Sequence, residues 1–242
     1  KTFAYDEFFE TPDMVKRAQA GYLGLVSFMD QQVGLVFDAL EKSGLRDTTR
    51  VVYTTDHGDN LGNRGAWGKS VMYEEAACVP MIVSGPDVPV GHIVKTPATI
   101  VDIYPFIMDC VGARDQTTVP DDNPGTSIMN LINGDEPDRV AFSEYHAMGS
   151  KTAAYMVRKG HYKLIYYPAY PAQVFNLEAD PDELVDLTDD PDAQSIKAEL
   201  MADQSAKSTQ ARMVDENGGK PAIIERGDLG FSVPPGVAPM FD

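Results

Sequence analysis

Cysteine is almost missing from this chain, with two in 242 residues. That is too few for a disulfide framework, which favours a reducing compartment. A cytoplasmic location is therefore expected. A periplasmic one stays open, because the sequence begins at Lys1 rather than Met and a leader could precede it. Basic residues are scarce too: 20 Lys and Arg stand against 37 Asp and Glu, for a net charge of −17. Such a surface excludes nucleic acid, whose phosphates need basic partners. No apolar run is long enough to span a bilayer, so no membrane partner is expected. Internal repeats and low-complexity tracts are lacking as well. What is present is a 43% share of hydrophobic residues, enough for a substantial core in one or two domains.

The order of elements predicts an α/β fold. Thr11 and Pro12 suit the cap and first turn of a helix, whose apolar stripe runs through Val15, Tyr22, Leu25, Met29, Val36 and Leu40 until Gly44 stops it. Asp30 falls one residue off that stripe and reads as solvated. Residues 50–55 and 79–84 read as buried strands of a sheet, and Ser70 as the cap of a short helix ending at Ala77. A third apolar run, 96–101, precedes a helix over 102–111 that tolerates Pro105 only in its first turn. The stretch 112–138 is rich in Gly, Pro, Asp and Asn and marks a boundary. Strands are expected at 140–144, 155–158, 162–167 and 173–177, then a helix over 193–213. That order suggests a small antiparallel sheet covered on one face. The acidic segment 180–192 reads as a solvated loop. The chain thus divides into 1–135, 136–213 and an aperiodic tail, 214–242, extended and suited to contacting a second subunit in a homo-oligomer.

Chemistry concentrates where the first strand ends. Asp56-His57-Gly58 places a carboxylate and an imidazole at the carboxyl end of a strand, where open α/β sheets bind ligands. Neighbours on a regular strand face opposite ways, so Asp56 and His57 can hold one metal ion only if the chain leaves strand geometry there. Gly58 permits that departure. Gly62, Gly65 and Gly68 then punctuate a loop ending at Lys69, a cation with three donors for an anionic oxygen. The plainer alternative is a capping Asp, a core His and a surface Lys. Cys78 and Cys110 read as small buried residues, and His92 and His161 as structural.

Several segments resemble the C-terminal half of the sulfatase family: Asp56-His57-Gly58-Asp59-Asn60-Leu61-Gly62, Trp67-Gly68-Lys69, Tyr73-Glu74-Glu75, Val79-Pro80, Gly160-His161-Tyr162-Lys163 and Val174-Phe175-Asn176-Leu177. The Asp-His pair is similar to the choline-sulfatase and phosphonate-monoester-hydrolase branch. The resemblance implies part of a layered α/β catalytic domain followed by a small antiparallel-sheet-plus-helix subdomain. It implies metal-assisted hydrolysis of a small sulfate ester, with Asp56 and His57 as metal ligands and Lys69 as a catalytic and substrate-binding cation. Calcium is the first expectation, with manganese or magnesium next. The family's nucleophile, a formylglycine made in a Cys/Ser-x-Pro-Ser-Arg segment, has no counterpart here; Cys78-Val79-Pro80 lacks the Ser-Arg. The N-terminal half of the same protein is expected to supply it, along with further metal carboxylates. Glu144, in Glu144-Tyr145-His146, is implied to hold a cationic part of the substrate, and His146 either lines the same pocket or is an ordinary strand-end histidine. Phosphonate or phosphate esters, or a non-catalytic assembly role, are the alternatives.

Overall fold

The computed structural model describes residues 9–113, 124–134, 136–146, 152–168 and 170–207. The expected tail, 214–242, and the end of the last helix lie outside these. Helix α1, Pro12–Ser43, forms as its local signals dictate. The Thr11 side chain accepts from the Met14 amide at 3.3 Å, and Gly44, at φ 71, donates its amide to the Glu41 carbonyl. None of its residues is buried. Leu25 and Val36 on the stripe are exposed, as are Leu23, Phe28 and Leu35 on other sides. Apolar side chains thus stand on more than one side of this helix.

Strand β1, Val51–Thr54, pairs antiparallel with β2, Met81–Ser84, placing Val51 opposite Ser84 and Thr54 opposite Met81. Both strands were expected to be buried, yet β1 is half-buried throughout and Ile82 is 59% exposed. The reason is that this ladder has only two strands among the described residues, so both its edges and much of its faces lack neighbours. Pro80, with no amide hydrogen to donate, sits just before β2. The third apolar run forms no strand. It leads instead into a 3₁₀ turn, Ile100–Asp102, closed by a reciprocal cap between Thr99 and Asp102. Helix α3, Ile103–Cys110, follows with Pro105 buried in its first turn. Asp102 is fully buried and also accepts from Arg139 at 2.6 Å and from the Thr126 amide at 2.9 Å. Neither cysteine is buried as expected: Cys78 is exposed, because it follows a one-turn helix at the wall of an open cavity, and Cys110 is only half-buried, beside the Arg50 guanidinium.

Helix α2, Glu74–Ala77, starts four residues later than Ser70, whose hydroxyl lies instead 3.3 Å from that of Tyr145. A short helix, α4, Ile128–Ile132, occupies the expected boundary stretch. Strands β3, Val140–Tyr145, β4, Ala154–Lys159, β5, Tyr162–Tyr166, and β6, Gln173–Asn176, form an antiparallel meander in chain order. Strict alternation assigns its faces. Val157, Leu164 and Val174 pack with Leu200 of helix α5, Gln194–Lys207. Met156, Ile165 and Phe175 pack with Met72 and Tyr73, just before α2. The sheet is therefore covered on both faces rather than one, and the segment carrying α2 is wedged between it and the Asp56 loop.

Candidate metal and anion site

The chain leaves strand geometry at Thr55, and this turns the next two side chains toward each other. His57 Nε2 lies 3.5 Å from Asp56 Oδ2, close to the roughly 3 Å that two adjacent ligands of one divalent ion span at bond lengths of about 2.1–2.4 Å. The His57 ring donates from Nδ1 to the Gly58 carbonyl at 2.9 Å. That bond selects the tautomer whose Nε2 lone pair faces outward. Lys69 Nζ donates to that nitrogen, so a cation already stands where a metal ion would bind. A carboxylate and an outward imidazole lone pair fit a hard or borderline divalent ion. They are two donors; no set of three or more His, Cys, Asp or Glu is gathered for a metal among the described residues.

The Asp56 carboxylate is favoured in its charged form. Desolvation works to raise the pKa of its carboxyl but is outweighed by its own amide, the charge of His57, the Thr55 hydroxyl and the His57 amide. The carboxyl therefore lies below its ordinary value. Its side chain is 79% exposed, so this preference is screened.

The loop from 58 to 69 is braced across its width. Asp59 Oδ1 accepts from the amides of Leu61 and Gly68, at 2.9 and 3.2 Å, and the Asn60 amide donates to the Gly68 carbonyl at 2.9 Å. Trp67 stacks on Phe9 with ring centroids 4.0 Å apart. Gly58 is needed for reasons the sequence did not suggest. Its φ is not left-handed; instead, a Cβ there would meet the Glu75 carbonyl oxygen at 2.0 Å. Its amide donates to the Ala76 carbonyl at 2.9 Å, so α2 is pressed directly against the Asp56–His57 turn.

Asp56, His57, Lys69 and Glu144 all line one open cavity of about 1240 Å³. His146 is not among its lining residues. It stands behind Glu144, with Nε2 3.4 Å from Glu144 Oε2 and its ring edge-on to Tyr155 at 5.3 Å. Asp30 lies on the exposed surface of α1, and His92 and His161 are exposed. Residue-by-residue reading missed Arg64, Glu74, Lys163 and Glu183. Glu183, in the acidic segment expected to be solvated, has a side chain with 0% exposure, as does Lys163. One signal for Lys163 was available, since it shares the inward phase of β5 with Ile165.

The Sulfatase family model matches residues 3–113, and the model described as N-sulphoglucosamine sulphohydrolase, C-terminal, matches residues 62–210. The choline-sulfatase of Rhizobium meliloti (strain 1021) is 34% identical over 199 residues, covering 82% of this chain and 38% of the relative. Arylsulfatase K of Danio rerio is 32% identical, covering 72% of this chain and 34% of the relative. The chain thus spans well under half the length of these curated relatives. The solved phosphonate monoester hydrolase of Silicibacter pomeroyi shares the fold, with a TM-score of 0.69 at 24% identity over 83% of this chain and 43% of its own. The family match at 3–113 contains the Asp56–Lys69 turn and the match at 62–210 contains the sheet that backs it, so the chain belongs to the sulfatase family.

Proposed function

We propose that the whole protein hydrolyses a sulfate monoester with the help of a divalent ion, calcium first and manganese or magnesium next, held in part by Asp56 and His57. The observation that carries this is the meeting of Asp56 Oδ2, His57 Nε2 and Lys69 Nζ at one strand end. A bound ion supplies Lewis-acid polarisation of a sulfuryl oxygen. The residues do the rest. Gly58 fixes the His57 ring through its carbonyl, and the glycine-punctuated loop returns Lys69 to where negative charge builds on the sulfuryl oxygens. Lys69 also draws an anionic substrate at short range, because salt screens the net −17 charge beyond about 8 Å. Glu144, 23% exposed at the cavity wall with His146 behind it, presents a carboxylate to a cationic part of the ester.

The nucleophile is a formylglycine from a Cys/Ser-x-Pro-Ser-Arg segment outside these 242 residues. The N-terminal half that carries it also brings the remaining metal carboxylates and covers the apolar circumference of α1 and the open ladder of β1 and β2. Large hydrophobic side chains on several sides of α1 support that docking.

The test is hydrolysis of an aryl sulfate and the matching aryl phosphonate by the whole protein, with each of the three ions. Clear preference for the sulfate is expected. Parity or reversal assigns the site to phosphorus esters, and no turnover of either by a protein with an intact nucleophile segment assigns it a non-catalytic role.

A further inference from the structure

The sheet face turned toward α2 carries charge where apolar side chains would serve stability better. Lys163 Nζ lies 2.8 Å from Glu74 Oε1 and 2.8 Å from Glu183 Oε1, and neither the Lys163 nor the Glu183 side chain has any exposed surface. Glu183 Oε2 accepts the Glu74 amide at 2.7 Å, supplying from 109 residues away the cap that α2 lacks locally. Arg158 adds a contact to Glu74 at 3.4 Å.

Arg64 closes the arrangement from the other side. It sits in the loop between His57 and Lys69 and donates from Nη1 to both Glu75 oxygens, at 2.6 and 2.7 Å. Its guanidinium covers the Tyr73 ring at 4.3 Å, and Nη2 donates to the Asp182 carbonyl, next to Glu183. Arg64 and Glu183 both hold left-handed backbones, at φ 53 and 51, in which non-glycine residues are uncommon. The burial of such ions rarely adds net stability over an apolar filling, and in some proteins its return is a unique arrangement of the groups around it. Here that arrangement centres on α2, a single turn too short to hold itself, whose Ala76 carbonyl takes the Gly58 amide beside His57.

We propose that Glu183, Lys163, Glu74 and Arg64 are positioning residues, through which the β3–β6 sheet sets where His57 and Lys69 stand. This rests on the reading of Asp56 and His57 as ion ligands. The network acts from behind α2, and its effect reaches the site through the Gly58 amide.

The experiment uses the whole protein and three variants: Glu183→Gln, which keeps shape but removes charge; Arg64→Lys, which keeps charge but not the forked geometry; and Leu200→Ala, which weakens the opposite face of the same sheet. Amide exchange at Gly58 is measured without metal, and manganese affinity by calorimetry, both well below each variant's Tm. Glu183→Gln and Arg64→Lys should speed Gly58 exchange and weaken manganese binding by about 10- to 100-fold, while Leu200→Ala loses stability and changes neither readout. Unchanged Gly58 exchange in the first two variants overturns the inference, as does an equal change in Leu200→Ala. Should Glu183→Gln fail to fold, Arg64→Lys decides alone, since its side chain is 21% exposed and tolerates exchange. If the unaltered protein binds no manganese, calcium or magnesium, the ion-site reading falls, and Gly58 exchange still decides the positioning.

Discussion

Replacing Gly58 with alanine tests the contact between α2 and the Asp56–His57 turn most directly. The added Cβ would lie 2.0 Å from the Glu75 carbonyl oxygen and 3.1 Å from its carbon, and both belong to backbone rather than to a side chain that can swing away. The two segments must part by more than about 1 Å to restore van der Waals contact. Overpacking of this kind costs about 1–3 kcal/mol, and loss of the Gly58–Ala76 hydrogen bond adds about 1 kcal/mol, so Gly58→Ala should lose about 2–4 kcal/mol in urea unfolding of the whole protein. Because His57 moves with Gly58, turnover of an aryl sulfate should also fall, by about 100-fold for an ångström of misplacement. Gly65→Ala is the matched control. Its φ of 68 is left-handed but open space surrounds it, so it should cost about 1–2 kcal/mol with turnover intact. A Gly58→Ala protein as stable and as fast as the parent would refute the packing argument.

Lys69→Ala should lower kcat by about 100- to 1000-fold with little change in Tm, because the residue is exposed; turnover equal to the parent's removes Lys69 from the chemistry. Manganese at about a hundredfold its Kd should stabilise the protein by about 2.7 kcal/mol, and calorimetric scans of Asp56→Asn/His57→Ala should lose that gain. For Glu74, desolvation works to raise the pKa but is outweighed by Lys163 and Arg158; for Glu75, desolvation is outweighed by its own amide and Arg64, so both carboxyls lie below their ordinary values. Their stabilisation is therefore complete above the unfolded value of about 4.3 and drains away as pH falls below it. Urea midpoints between neutral pH and pH 3 should show that decline, and its absence in Glu75→Gln would separate the two carboxylates. Arg139→Met strands the fully buried Asp102 carboxylate and should cost about 3–5 kcal/mol in the same assay.

Local chemistry was readable from the sequence, and distant chemistry was not. Thr11, Pro12 and Gly44 bound α1 because each acts within one turn of itself. The β3–β6 strands were legible because alternation follows from the backbone alone. Asp56 and His57 could be placed at a strand end, and their approach follows from the chain leaving strand geometry there. The start of α2 could not be read, because its cap comes from Glu183 rather than Ser70. Composition made Glu183 look solvated, since an acidic stretch reveals nothing of a lysine buried on a strand some twenty residues earlier. The exposure of β1 and Cys78 was missed for a different reason: apolar residues report that they need burial, not which neighbours provide it.

The remote cap on α2 also dictates an order of events during folding. Most helices can flicker into existence as soon as their own residues are synthesised, but α2 has no stable first turn until Glu183 arrives. Closing so long a loop is slow compared with local helix formation. On the ribosome, the cap on α2, and with it the firm seating of α2 against Gly58, therefore waits until residue 183 has been synthesised, whereas the 58–69 loop has bonds of its own through Asp59 and Asn60.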